Sequence, residues 1–83
     1  MNAAEVDAEL RELLRFEDGG LALDDWYARA RVFQEKTLGV FELPESIVHF
    51  LIDADVRRKD PRYREMQRAV VQRYLETLRA SSS

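Results

Sequence analysis

The chain has 83 residues, no cysteine and a formal net charge of −3 at pH 7, which predicts one domain and excludes disulfides and thiolate metal sites. No apolar run approaches the roughly 20 residues of a membrane span, and the first residues lack the basic and apolar regions of a secretory signal. We therefore expect a cytoplasmic protein with no membrane partner.

The first predicted helix ends at the glycine pair Gly19 and Gly20, which can supply the positive φ of a helix end. Acidic residues crowd its first turns, where the helix dipole favours them. Its apolar stripe recurs at spacings of three and four: Val6, Leu10, Leu13 and Leu14, with Glu17 on the same stripe.

The second predicted helix begins near Asp24 and ends at Gly39. Ala22 stands at the N-cap position, where serine would give something close to a capping box. The apolar stripe of this helix follows the helical period: Trp26, Ala30, Phe33 and Thr37.

The third predicted helix is apolar around most of its circumference. Pro44 suits its first position. Its apolar residues are Ile47, Val48, Phe50, Leu51, Ile52, Ala54 and Val56. Such a helix is central in its domain or covered by a partner, so a homodimer is one alternative.

Asp60 and Pro61 predict the N-cap and first residue of a last helix. Its expected stripe is Met66, Val70, Tyr74 and Leu78, with Tyr63 and Val71 beside it. Together the elements predict an all-α fold, a compact four-helix bundle-like single domain over residues 1–80. Residues 81–83 are three serines, which we expect to form a disordered tail.

Charge is segregated along the chain. Residues 1–56 carry a net charge of −8, and residues 57–83 carry +5. Such a field acts on partner choice rather than on fold. Three interpretations stay open: the acidic part meets a basic partner, the basic part meets an acidic one, or the two parts neutralise each other.

No convincing catalytic set is present. Ser46 lies three residues before His49, but no oxyanion donors accompany the pair. Glu45, His49 and Asp53 recur every four residues, yet positions i and i+8 are about 12 Å apart along a helix, so one ion cannot use all three. We expect a non-enzymatic protein with no cofactor and no metal.

The basic candidates begin at the end of the third predicted helix. They are Arg57, Arg58, Lys59, Arg62, Arg64, Arg68 and Arg73. Phosphate binding needs clustered cations, but the acidic balance of the whole chain and the lack of helix-turn-helix spacing argue against nucleic acid. We expect a solvated surface that pairs with the acidic helices, and a nucleic-acid-binding regulator stays as an alternative.

The acidic candidates for a partner surface are Asp24, Asp25, Glu42 and Glu45. Aromatic neighbours accompany them: Trp26, Tyr27 and Phe41. Charge gives a protein interface its on-rate and specificity, and aromatic side chains anchor it. The sequence therefore predicts a protein-binding module that contacts a basic partner.

The order of these motifs resembles a known family over roughly residues 9–56. A glycine turn leads into Gly20-Leu21-Ala22-Leu23-Asp24-Asp25-Trp26, and Leu38-Gly39-Val40 precedes an apolar helix that ends in acids. This layout resembles the small helical bacterial immunity proteins of the colicin-D type, cytosolic bundles that block a tRNA-cleaving toxin with acidic side chains. The resemblance implies that the four candidate acids contact a basic toxin domain.

Overall fold

Five α-helices are present in residues 1–82, the part of the chain that the computed structural model describes, and these residues contain no β-strand. The helices are α1 (Ala3–Asp18), α2 (Leu23–Thr37), α3 (Glu45–Ile52), α4 (Ala54–Lys59) and α5 (Pro61–Ser82). The all-α class is confirmed. The number of helices is five rather than four, because the predicted third helix is divided into α3 and α4. None of the helices in the described range is long and apolar enough to cross a membrane.

Local side-chain and backbone signals set most of the helix ends. The Oδ1 atom of Asn2 accepts the N–H of Glu5 at 2.9 Å and caps α1. Ala22 is the N-cap of α2 and makes no side-chain cap bond, as predicted. Asp60 caps α5, since its Oδ1 accepts the N–H groups of Arg62 and Tyr63 at 3.0 and 3.2 Å.

The break between α3 and α4 falls at Asp53, whose φ of −109° and ψ of 20° leave the helical range. Side chains from other elements bind the carbonyls that α3 leaves free there. Arg57 donates from Nη1 to the carbonyl of Phe50 at 2.6 Å, and the Tyr27 hydroxyl lies 3.1 Å from the carbonyl of Ile52. The predicted continuous helix was wrong because these tertiary bonds replace the helical ones.

The core contains the predicted stripe residues of α1 and α2 except Glu17, which is only part-buried. From the region of α3 and α4 it takes Ile47, Phe50, Leu51 and Ala54. Ile52 and Val56 are exposed instead. The apolar side of α3 is covered by α2 and α5 of the same chain.

The buried side of α5 lies about one residue later than the sequence predicts. Its buried residues are Gln67, Val71, Leu75 and Leu78, while Met66 is exposed. The orientation follows from Gln67, whose side chain is bonded to Arg57 and Asp53 in the interior. A polar residue therefore takes a core position that the apolar stripe had assigned to Met66.

The end of α5 overlaps the predicted tail. The Ser81 hydroxyl donates to the carbonyl of Thr77 at 3.1 Å, as helical serines do, and the helix includes Ser82. Two of the three serines expected to be disordered are thus helical. Ser83 lies outside the described residues.

Candidate functional site

The four predicted acids fall into two pairs at opposite ends of α2. Asp24 and Asp25 are exposed in its first turn and form the first acidic pair. Glu42, in the connection after α2, and Glu45, the first residue of α3, are also exposed and form the second acidic pair. A helix of 15 residues is about 22 Å long, so the structure does not bring the two pairs together.

Most of this charge has no counter-ion in the described part of the chain. Asp24, Asp25 and Glu42 take part in no ion pair among residues 1–82. Glu45 Oε1 lies 3.6 Å from His49 Nε2, an ion pair only when the imidazole is protonated. The acids of α1 differ, since Glu9 pairs with Lys36 at 3.3 Å. The two acidic pairs therefore keep negative charge available at the surface.

An open cleft of about 550 Å³ lies between the last turn of α2 and α3, and Glu42 of the second acidic pair lines it. We call it the loop cleft. Its apolar lining is Leu38, Val40, Phe41, Leu43 and Val48. Leu38 is 69% and Val40 62% exposed. Among the described residues that line it, Glu42 is the one with an ionisable side chain.

Hydrogen bonds hold the chain that forms this cleft. The carbonyl of Thr37 accepts the N–H groups of Val40 and Phe41 at 3.0 and 2.8 Å. The hydroxyl of Thr37, which is buried, donates to the carbonyl of Gln34 at 2.7 Å. Gly39 has a φ of +71°, a conformation that other residues rarely adopt. The cleft is therefore organised by its own backbone.

The sequence pattern did not predict that Arg57 lies in the interior. It belongs to the basic run expected at the surface, yet its side chain is fully buried. Its Nη2 donates to Glu17 Oε1 at 2.7 Å and its Nη1 to Gln67 Oε1 at 2.7 Å. The guanidinium also lies 4.1 Å from the centroid of the Phe50 ring. Arg57 therefore joins α1, α3, α4 and α5 in the interior and is not available to a partner.

One sequence signal pointed to this buried arginine. Glu17 continues the apolar stripe of α1, and a carboxylate on a buried stripe needs a cation as partner. The structure supplies two, Arg57 and Arg68, and Arg68 also pairs with Asp18 at 2.9 Å. Part of the basic segment thus neutralises α1. Lys59, Arg62, Arg64 and Arg73 stay exposed.

Two tyrosines hold the break between α3 and α4. The Tyr27 hydroxyl accepts the N–H of Asp55 at 3.0 Å and lies 2.9 Å from its carboxylate. Burial raises the pKa of Tyr27, and the hydrogen bond from Tyr27 lowers the pKa of Asp55. The Tyr63 hydroxyl donates to Asp53 at 2.6 Å, and this bond raises the pKa of Tyr63. These contacts order the chain around Asp53.

The row of Glu45, His49 and Asp53 does not assemble in the structure. Asp53 accepts from Tyr63 and Gln67 on α5, while His49 faces Glu45. Within residues 1–82, no three His, Cys, Asp or Glu side chains come together in an arrangement that could hold a metal ion.

Comparisons of the chain with protein-family models, with curated proteins and with solved structures return no match. The resemblance to colicin-D-type immunity proteins therefore stays a prediction from the sequence.

Proposed function

We propose that the protein is a non-enzymatic binding module for a protein with a basic surface. The observation that carries the proposal is that exposed Glu42 lines a cleft together with the exposed side chains of Leu38 and Val40, with exposed Glu45 three residues further along the chain. Protein interfaces combine a central apolar anchor with a charged rim. Acidic side chains on such a rim would steer a basic partner and select it.

The second acidic pair suits this role better than the first. Asp24 shares its surface depression with Arg31, whose opposite charge weakens the local potential. No basic side chain of the described residues lines the loop cleft. Lys36, in the last turn of α2, is bonded to Glu9 on α1. We therefore assign the partner contact to Glu42 and Glu45 and keep Asp24 and Asp25 as the alternative.

The most specific version of the proposal is that the protein gives immunity against a nuclease-type toxin. Nucleases that act on RNA hold phosphates with basic side chains, and an acidic surface docked there would exclude the substrate. The resemblance of residues 9–56 to colicin-D-type immunity proteins supports this form. A homodimer and a nucleic-acid-binding regulator that uses the exposed basic residues of α5 are the competing functions.

Two double variants with the same change of charge test the assignment. Tagged wild type, Glu42→Lys with Glu45→Lys, and Asp24→Lys with Asp25→Lys are used to capture protein and nucleic acid from the native host. We expect wild type and the Asp variant to retain a basic protein and the Glu variant to lose it. The purified partner should then associate more slowly at high salt, because charges are screened beyond about 8–10 Å.

The same experiment separates the competing functions. A recovered partner that cleaves tRNA and is inhibited by an equimolar amount of this protein would establish immunity. Recovery of nucleic acid without a basic protein would contradict the proposal. Loss of the partner from the Asp variant alone would move the interface to the start of α2. Circular dichroism of each variant checks that its helices are intact.

A further inference from the structure

We infer that the loop cleft receives one arginine or lysine side chain of the basic partner. The inference rests on the proposed function and names how the partner is recognised. Both side chains combine an apolar stem with a terminal cation, and they bury the stem on apolar surface while the charge stays near water. The cleft offers both kinds of contact in one place.

The apolar walls match the stem. Val40, Phe41 and Val48 line the cleft, and each presents hydrocarbon to whatever enters. A cleft of about 550 Å³ has room for one long side chain and for the water around its charged end. A purely polar occupant would leave these walls without a contact.

The charge beside the walls is negative. Glu42 is the ionisable group in the lining, and Glu45 follows it by three residues at the start of α3. The last turn of α2 contributes Gln34 and Thr37 to the cleft, and the carboxyl end of a helix carries partial negative charge. A cation is therefore favoured over a neutral or anionic group of the same size.

The cleft exists before the partner arrives. The two N–H groups bonded to the carbonyl of Thr37 hold the loop backbone, and the left-handed Gly39 sets its direction. Binding to a site that is already ordered loses little conformational entropy. Even the isolated side chain should therefore bind weakly and at one place.

The test uses side-chain analogues and NMR of the ¹⁵N-labelled protein. N-acetyl-arginine amide, N-acetyl-lysine amide and N-acetyl-norleucine amide are titrated at constant ionic strength. We expect the two cations to shift the amide signals of residues 38–43 and of Val48 in a saturable way, and norleucine to bind more weakly. The norleucine analogue keeps the apolar stem and lacks the charge.

Three variants separate the contributions. Glu42→Gln should weaken arginine binding about 1.5- to fivefold, the size of an exposed charge contact. Asp25→Asn makes the same change of charge at the other end of α2 and should have no effect. Val48→Trp fills the cleft with Glu42 in place and should abolish binding.

Several results would overturn the inference. They are norleucine binding as tight as arginine, an equal loss in Asp25→Asn, or shifts spread over all surface carboxylates. Self-association that Val48→Trp abolishes would make a second copy of this chain the occupant. If Glu42→Lys with Glu45→Lys loses the captured partner and Val48→Trp does not, the cleft inference fails alone. If the cleft binds arginine but no basic protein is captured, the proposed function fails alone.

Discussion

At the scale of single residues, Arg57 stands out because its charged side chain is fully buried. Taking a cation out of water is costly unless each donor finds an acceptor. Glu17, the carbonyl of Phe50 and Gln67 supply those acceptors. In residues 1–81, whose side chains are described, every buried side-chain nitrogen or oxygen has a hydrogen-bond partner. The network is therefore complete and sensitive to the loss of any member.

Arg57→Met should destabilise the protein by about 3–5 kcal/mol, because it leaves Glu17 as a buried carboxylate without its closest cation. The free energy of unfolding in urea measures the effect. Arg57→Met combined with Glu17→Gln should be less destabilised than Arg57→Met alone. Arg64→Met, at an exposed position of α5, is the control and should change stability by less than about 0.5 kcal/mol. An Arg57→Met protein as stable as wild type would contradict the role of the network.

The tyrosines predict a loss of stability at high pH. Burial raises the pKa of Tyr27 and of Tyr74, and the hydrogen bond to Asp53 raises that of Tyr63. A raised pKa gives stability that is full below the ordinary value of about 10 and is lost as pH rises through the folded value. Phenolate absorbance should therefore appear at higher pH in the native protein than in urea, and the urea midpoint should fall above about pH 10. Identical titration curves in the two states would contradict this.

At the scale of elements, the helix starts offer a matched pair of tests. Asn2 caps α1 through its side chain, whereas Ala22 at the start of α2 cannot. Ala22→Ser should stabilise the protein by about 0.5–1 kcal/mol, and Asn2→Ala should destabilise it by about 0.5–2 kcal/mol. Urea unfolding measures both. A midpoint unchanged or lowered by Ala22→Ser would show that serine does not reach the free N–H groups of α2.

Adjacent residues of α3 should respond very differently to truncation. Leu51 is buried, and Ile52 is 53% exposed. Leu51→Ala should cost about 2–5 kcal/mol through lost burial and the cavity left behind. Ile52→Ala should change stability by less than about 1 kcal/mol. Similar losses in both variants, measured by urea unfolding, would mean that α3 is oriented differently or that Ile52 is covered in solution.

At the scale of the whole molecule, the two oppositely charged parts of the chain meet. The radius of gyration of the Cα atoms is 12.2 Å, close to the roughly 12 Å expected for a compact chain of this length. α1 packs against α5, and Arg68 pairs with Glu17 and Asp18 across that contact. Some of the acidic and basic side chains therefore neutralise each other within one molecule. What is left over includes the exposed acids around α2 and exposed basic residues on α5.

Sedimentation should show a single species near the chain mass of 9.7 kDa at micromolar concentration. The homodimer alternative was based on the apolar circumference of the predicted third helix. α2 and α5 of the same chain already cover the apolar side of α3, so no second copy is needed to cover it. Val48→Trp provides a second sample in which the loop cleft is filled. A mass that rises with protein concentration would favour the homodimer.

The sequence by itself determined the features that depend on neighbours along the chain. The buried stripes of α1 and α2 follow from the helical period, and the caps at Ala22 and Asp60 follow from residue type and spacing. The all-α class follows from the same signals. Each of these is decided within about one or two helical turns.

Only the tertiary structure decided the break at Asp53, the orientation of α5 and the burial of Arg57. No glycine or proline marks the break, and the bonds that make it come from Tyr27 and Arg57. The acceptor of the Arg57 charge, Glu17, is 40 residues away in the chain. Contacts with other elements decide these features. The local pattern indicates only that Glu17 needs a cation, and it does not identify Arg57 as that cation.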